Sequence, residues 1–132
     1  MIALDTNVLV RYVVEDDARQ SALAAALIHR AIANDEYLFV SDVVVCELVW
    51  VLSVAYQFGR AAIAALLRDV LRARHLRFAA TDQLARALDA YEAGRGDFAD
   101  YLVREHAQRA ECESVATFDK VLLKERGFVP VR

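Results

Sequence analysis

The hydrophobic positions of this chain gather into short continuous runs, set between longer stretches in which Ala, Leu and Arg recur with the composition of helices. Ile2-Ala3-Leu4 is one such run. It ends at Asp5-Thr6-Asn7, three polar side chains suited to the close of a strand and the start of a helix, so a buried first strand and a short helix over 8–14 are predicted. After the polar Glu15-Asp16-Asp17, residues 18–34 have helix-forming composition, and Tyr37-Leu38-Phe39-Val40 reads as a second buried strand. Ser41 is placed to cap a helix that runs to about Gln57 and stops at Gly59, the residue type favoured just past a helix end. Further helices are expected over 60–74 and from the Thr81 cap to Gly94 and Gly96, with a third strand at 76–79 between them. Then come a helix over 97–110, a strand at 114–117, a short helix over 118–126 ended by Gly127, and a last strand at 128–131.

Strands and helices thus alternate from end to end, which implies right-handed crossovers and a mostly parallel sheet with helices on both faces. The expectation is a single α/β domain over residues 1–132, with no linker, repeat or low-complexity tract and with Pro130 tolerated only in an edge strand. In such folds ligands bind beyond the carboxyl ends of the strands, where strand order reverses.

Composition changes this picture little. Hydrophobic residues make up 58% of the chain, enough for a core with some apolar surface left over for partners. No apolar run approaches the ~20 residues that span a bilayer, and Asp5 interrupts the start where a signal peptide would need its apolar stretch, so a cytoplasmic protein without a membrane role is expected. Cys46 and Cys112 have neither CxxC spacing nor a nearby His pair, which points away from zinc and towards reduced, buried thiols. The net charge of −3 argues against a broad basic face for nucleic acid, yet Arg60, Arg68, Arg72, Arg74 and Arg77 form a mid-chain group that reads either as a solvated helix face or as a local anion surface.

The candidate chemistry lies in five acids. Asp5 ends the first predicted strand and Asp119 follows the fourth, so both project at the carboxyl edge of the sheet. Asp97 and Asp100 share the first turn of one predicted helix, beside the positive end of its dipole. Glu47 sits among Val43, Val44, Val45, Cys46, Leu48 and Val49, in a helix apolar almost all round and therefore expected to be buried, where an ionised carboxylate needs a counter-charge or a polar cavity. Each acid also has a plain structural reading: Asp5, Asp97 and Asp119 as caps, Glu47 paired with an arginine, Asp100 bonded to Arg104.

If the five converge, each pair about 4 Å apart repels by ~4 kcal/mol at an effective dielectric of 20, and a hard divalent cation removes that penalty. An all-oxygen donor set without Cys or His favours Mg²⁺ or Mn²⁺. The chemistry that uses such sites is phosphodiester hydrolysis by a metal-activated water, with one or two ions. Thr6 and Thr117, beside Asp5 and Asp119, are supporting candidates for orienting that water. His29, His75 and His106 lack ligand spacing, and Trp50 and Tyr56 read as core or interface residues rather than platforms for bases.

In their order and spacing, Leu4-Asp5-Thr6-Asn7-Val8-Leu9, Cys46-Glu47-Leu48, Asp97-Phe98-Ala99-Asp100-Tyr101-Leu102 and Thr117-Phe118-Asp119 resemble the PIN-domain ribonucleases, and among them the VapC-type toxins of toxin–antitoxin pairs. The resemblance implies a three-layer α/β/α fold and Mg²⁺- or Mn²⁺-dependent endoribonuclease activity on RNA. It also implies a homodimer and inhibition by a small cognate VapB-type antitoxin. Asp5, Glu47, Asp100 and Asp119 match the family's four principal acids and Asp97 a frequent additional one, with Asp100 favoured over Asp97 as a direct ligand. The chain departs from the family pattern at Val103-Arg104-Glu105, where small apolar residues are usual, and this bears on substrate fit rather than on the metal centre. The competing readings are a haloacid-dehalogenase-like phosphohydrolase, which would want an acid where Asn7 stands, and a receiver domain, which would want adjacent acids at the first strand and a later lysine. A PIN-like module that only binds RNA or a partner is the third, and the complete set of acids speaks against it.

Overall fold

The computed structural model describes residues 1–132 and falls into two compact units, Met1–Thr81 and Asp82–Arg132. In the first unit the order is β1 (Ile2–Ala3), α1 (Thr6–Val13), α2 (Ala18–Ala33), β2 (Leu38–Val40), α3 (Asp42–Val54), α4 (Arg60–Arg72) and β3 (Leu76–Phe78). The strands form a parallel sheet in the order β1-β2-β3, with Ile2 opposite Leu38 and Leu38 opposite Leu76. Every crossover in it runs through helix, as a parallel sheet requires.

Local chemistry sets the helix starts. The Asp17 side chain accepts the Gln20 N–H (3.0 Å) and Ser41 Oγ accepts that of Val44 (3.2 Å), each cap contributing about 1 kcal/mol. Arg11 binds Gln20 (2.7 Å) and Asp16 (2.8 Å), and the Tyr56 hydroxyl also donates to Asp16 (2.7 Å), so the α1–α2 turn is fastened to the end of α3. Leu9, Val45, Leu48, Leu52, Ile63 and Leu67 fill the core beneath.

Two expectations for this unit are corrected. β1 is exposed rather than buried, Ile2 at 59%, because it ends the sheet order; the apolar run is closed off from water only at Leu4. Helix α3 is not buried all round either. Val43, Glu47, Trp50 and Val54, spaced 4, 3 and 4 residues apart, lie on one exposed stripe, while Val44, Val45, Leu48 and Leu52 face the core. An apolar composition does not say which sides of a helix are covered. Trp50, 64% exposed, is therefore no core residue.

The second unit holds α5, which begins at its boundary (Thr81–Ala93), α6 (Phe98–Arg109), β4 (Val115–Thr117), a 3-10 turn (Leu122–Lys124) and β5 (Phe128–Pro130). β4 and β5 pair in parallel, Val115 with Phe128 and Thr117 with Pro130, so every strand pairing in the protein is parallel and the α/β class stands as expected. Leu84, Leu88, Tyr91, Phe98, Tyr101, Leu102, Leu122 and Phe128 form the core, with Tyr91 and Phe98 edge to face at 6.3 Å.

The helix expected over 118–126 shrinks to the three-residue turn. Asp119 Oδ1 takes the Val121 N–H (2.8 Å), and the Glu125 N–H closes on the Leu122 carbonyl (2.9 Å), ending the turn before an α-helical ladder is established. Gly127 adopts φ +84°, a left-handed conformation that favours glycine, and packs against the Arg104 stem.

Candidate active-site carboxylates

In the first unit, Asp5 follows β1 and caps α1, its Oδ1 accepting the Thr6 N–H at 2.8 Å. The buried Thr6 hydroxyl donates to Glu47 Oε2 at 3.0 Å, tying the start of α1 to the middle of α3. Glu47 itself is exposed, which corrects the expectation of a buried carboxylate. Its partner is a threonine rather than an arginine.

In the second unit, the Asp97 N–H donates to Asp100 Oδ2 (3.1 Å) across the first turn of α6. Asp119 follows β4. Its N–H donates to Thr117 Oγ1 (3.0 Å), which gives Thr117 the job of fixing that turn. Burial first, then the negative charges of Asp97, Asp119 and Glu125, push the Asp100 carboxyl above its ordinary range, against the lowering effect of the Asp97 N–H. Asp100 does not reach Arg104, whose guanidinium is buried and donates to the Arg126 carbonyl (2.8 Å).

The capping roles expected of Asp5, Asp97 and Asp119 are thus real, Asp97 as the N-cap of α6 in a capping box with Asp100. In Asp5, Glu47, Asp100 and Asp119 alike, the anchoring bond uses one carboxylate oxygen and holds the side chain in place while the other oxygen stays available as a ligand.

Glu125 is the acid that sequence reasoning missed. The Tyr101 hydroxyl donates to its carboxylate (2.6 and 2.7 Å) and accepts the Gly96 N–H (2.9 Å), so Glu125 is held firmly at the edge of the Asp100 environment. Its neighbours Lys124 and Arg126 gave no signal; the one hint is Tyr101, directly after Asp100. Gly94 and Gly96 do more than break the chain before Asp97. They let the backbone approach the Tyr101 ring, where a Cβ on Gly94 would collide with the hydroxyl.

The histidines stay outside. His75 is buried against Asp35 (3.2 Å) under a stacked Tyr37, and His29 and His106 are exposed on their helices. Cys46 is partly buried, its thiol pushed up to about 11 by burial, whereas Cys112 is exposed, contrary to expectation. Of the mid-chain arginines, Arg60, Arg68 and Arg72 lie on α4, the last two one turn apart, and Arg77 lies over the Tyr37 ring at 4.0 Å.

No group of three or more His, Cys, Asp or Glu side chains is arranged to hold a metal ion outright. The fit to a hard cation rests on the donor chemistry: oxygen ligands only, with Asp100 pushed up by burial and, after it, by the charges of Asp97, Asp119 and Glu125. No helix is long and apolar enough to cross a membrane. Compared with known families, the chain matches the PIN domain over residues 2–128, and no curated protein matches it.

Proposed function

Because the chain belongs to the PIN-domain family, whose members are typically nucleases that use divalent metals such as Mg²⁺, we propose that it is a Mg²⁺- or Mn²⁺-dependent endoribonuclease. We further propose that it is the toxin of a VapBC-type pair. The observation that carries the nuclease reading is the carboxylate crowding around Asp100, set in a family match that takes in all five acids.

By the family resemblance, Asp5, Glu47, Asp97, Asp100 and Asp119 are the residues that would hold the metal. A divalent cation, when bound, offsets the carboxylate repulsion and acts as a Lewis acid towards a phosphodiester. The protein's own part is positional. Thr6 orients Glu47 through its hydroxyl, Thr117 fixes the turn that presents Asp119, and the Asp97 N–H sets the rotamer of Asp100. Asp100, whose carboxyl is pushed up by burial and by the neighbouring acids, would hold a cation in its ionised form.

The purified protein should cleave RNA only with Mg²⁺ or Mn²⁺, and Asp5→Asn should lower the rate by about two orders of magnitude while the fold is retained. Equal cleavage by wild type and Asp5→Asn in chelated buffer would sink the assignment. The toxin role is supported by the family resemblance, and a short upstream reading frame encoding a DNA-binding N-terminus and a flexible tail is expected; an isolated gene counts against it. A homodimer is supported by the exposed stripe of Val43, Trp50 and Val54, and a solution mass of one chain at working concentration would remove it.

A further inference from the structure

On the second unit a cleft of about 500 Å³ is lined by Gln83, Arg86, Glu105, Gln108, Arg109 and Arg126. Every lining side chain is polar, and three arginines face a single carboxylate, in a chain whose net charge is −3. That carboxylate is already spent. Glu105 is buried at 3% exposure and accepts from Arg86 Nε, whereas no ion pair engages Arg109 or Arg126, both of them exposed.

The cleft is built from behind. Arg104, only 9% exposed, lies within reach of the Tyr101 and Phe128 rings (5.2 and 5.5 Å to their centroids) and donates through Nη1 to the Arg126 carbonyl, so it holds the backbone from which Arg126 projects. Its Nε has no partner. The Arg104-Glu105 step that breaks the family pattern therefore carries both the brace and the buried counter-charge of this cleft.

The same helix joins the cleft to the acids. Asp100 opens α6, and Glu105, Gln108 and Arg109 follow on it, so at 1.5 Å rise per residue the arginine end lies ~12–14 Å from Asp100 along the axis. At ~3.4 Å per stacked nucleotide that separation corresponds to about three or four nucleotides. Guanidinium forks and amide donors without an apolar wall match phosphate oxygens better than a peptide, which would need pockets for its anchoring side chains.

We propose that this cleft is a backbone subsite for the RNA substrate, in which Arg109 and Arg126, with the Gln83 and Gln108 amides, grip a phosphodiester about three or four nucleotides from the one that is cut. The proposal rests on the ribonuclease reading for the identity of its ligand. The subsite sets register and affinity, and it reads no base.

The test uses the full chain carrying Asp100→Asn, so that RNA is bound without being cut, with and without Arg109→Ala plus Arg126→Ala. Fluorescence anisotropy is read with a twelve-nucleotide single-stranded RNA and with a dinucleotide too short to reach. The arginine changes should weaken the long RNA about tenfold and lower its salt dependence by about one in slope, while leaving the dinucleotide unaltered; Arg109→Lys plus Arg126→Lys should restore part of the loss. Equal affinity for the long RNA in both backgrounds, with folding verified by circular dichroism, overturns the subsite. Loss of polyglutamate binding without loss of RNA binding also overturns it, in favour of an acidic protein partner. If wild type cleaves no RNA, the nuclease reading fails, and the anisotropy still decides whether the cleft binds it.

Discussion

A carboxylate partly buried in the fold and near other carboxylates holds its proton more tightly than one alone in water, and Asp100 is in that position. Its folded-state pKa is raised, so the fold gains stability from the protonated form at low pH and loses that contribution as pH rises through the raised value. At neutral pH, without metal, the ionised side chain opposes folding. Asp100→Asn removes the charge but keeps an oxygen for the Asp97 N–H, so the metal-free variant should melt higher than wild type at pH 7, the gap closing towards pH 3. Thermal melts across that range check it, and identical curves at pH 7 would refute it. The crowding was legible in the sequence, because Asp97 and Asp100 share a turn and Asp119 follows a strand. The exposure of Glu47 and the place of Glu125 were not. Glu47 lies on the single exposed stripe of an apolar helix, and Glu125 is placed by a tyrosine 24 residues away in sequence, which no local pattern reports.

Elements were read more securely than residues, because their ends carry chemistry: Ser41 caps α3 as expected, although α3 ends at Val54 and Gly59 is the N-cap of α4 rather than the glycine that closes α3. The reading failed at 118–126, where a side-chain cap and a 3-10 turn took the hydrogen bonds a helix would have used. The link between α5 and α6 shows how an element boundary supports the acids. Gly94 and Gly96 lie so close to Tyr101 that the ring, its bond to Glu125 and the start of α6 are set together. In Gly94→Ala the new methyl meets the Tyr101 hydroxyl, the Glu125 carboxylate and the Ala90 carbonyl. Overpacking of this kind costs about 1–3 kcal/mol, so the urea midpoint should fall. The Tyr101–Glu125 bond should weaken with it. Tyr101→Phe loses the same bond without the clash, and therefore should destabilise less than Gly94→Ala; the reverse order would show that the glycine is not where the constraint lies.

At the scale of the whole chain, ordered motifs spread from Asp5 to Asp119 carried the family. Arg86, Arg109 and Arg126, scattered along the second unit's sequence, meet at one cleft. The net charge of −3 bears on stability as well as on partners, because a protein whose acids repel one another is stabilised by whatever neutralises them. Two agents can do so. Monovalent salt screens exposed charges at any site, with a Debye length of about 10 Å at 0.1 M, and acts with little regard to which acid is present. A bound Mg²⁺ acts through mass action, adding about 2.7 kcal/mol at 100 times its dissociation constant, and does so only if the ligands are intact. Melting wild type, Asp100→Asn and Asp5→Asn in MgCl₂ against NaCl of matched ionic strength separates the two. Wild type should gain markedly more from MgCl₂ than from NaCl, and both variants should respond to the two salts alike. If wild type responds equally to both, the acids only repel and hold no ion; if one variant alone keeps the Mg²⁺ response, the acid it lacks is not a ligand.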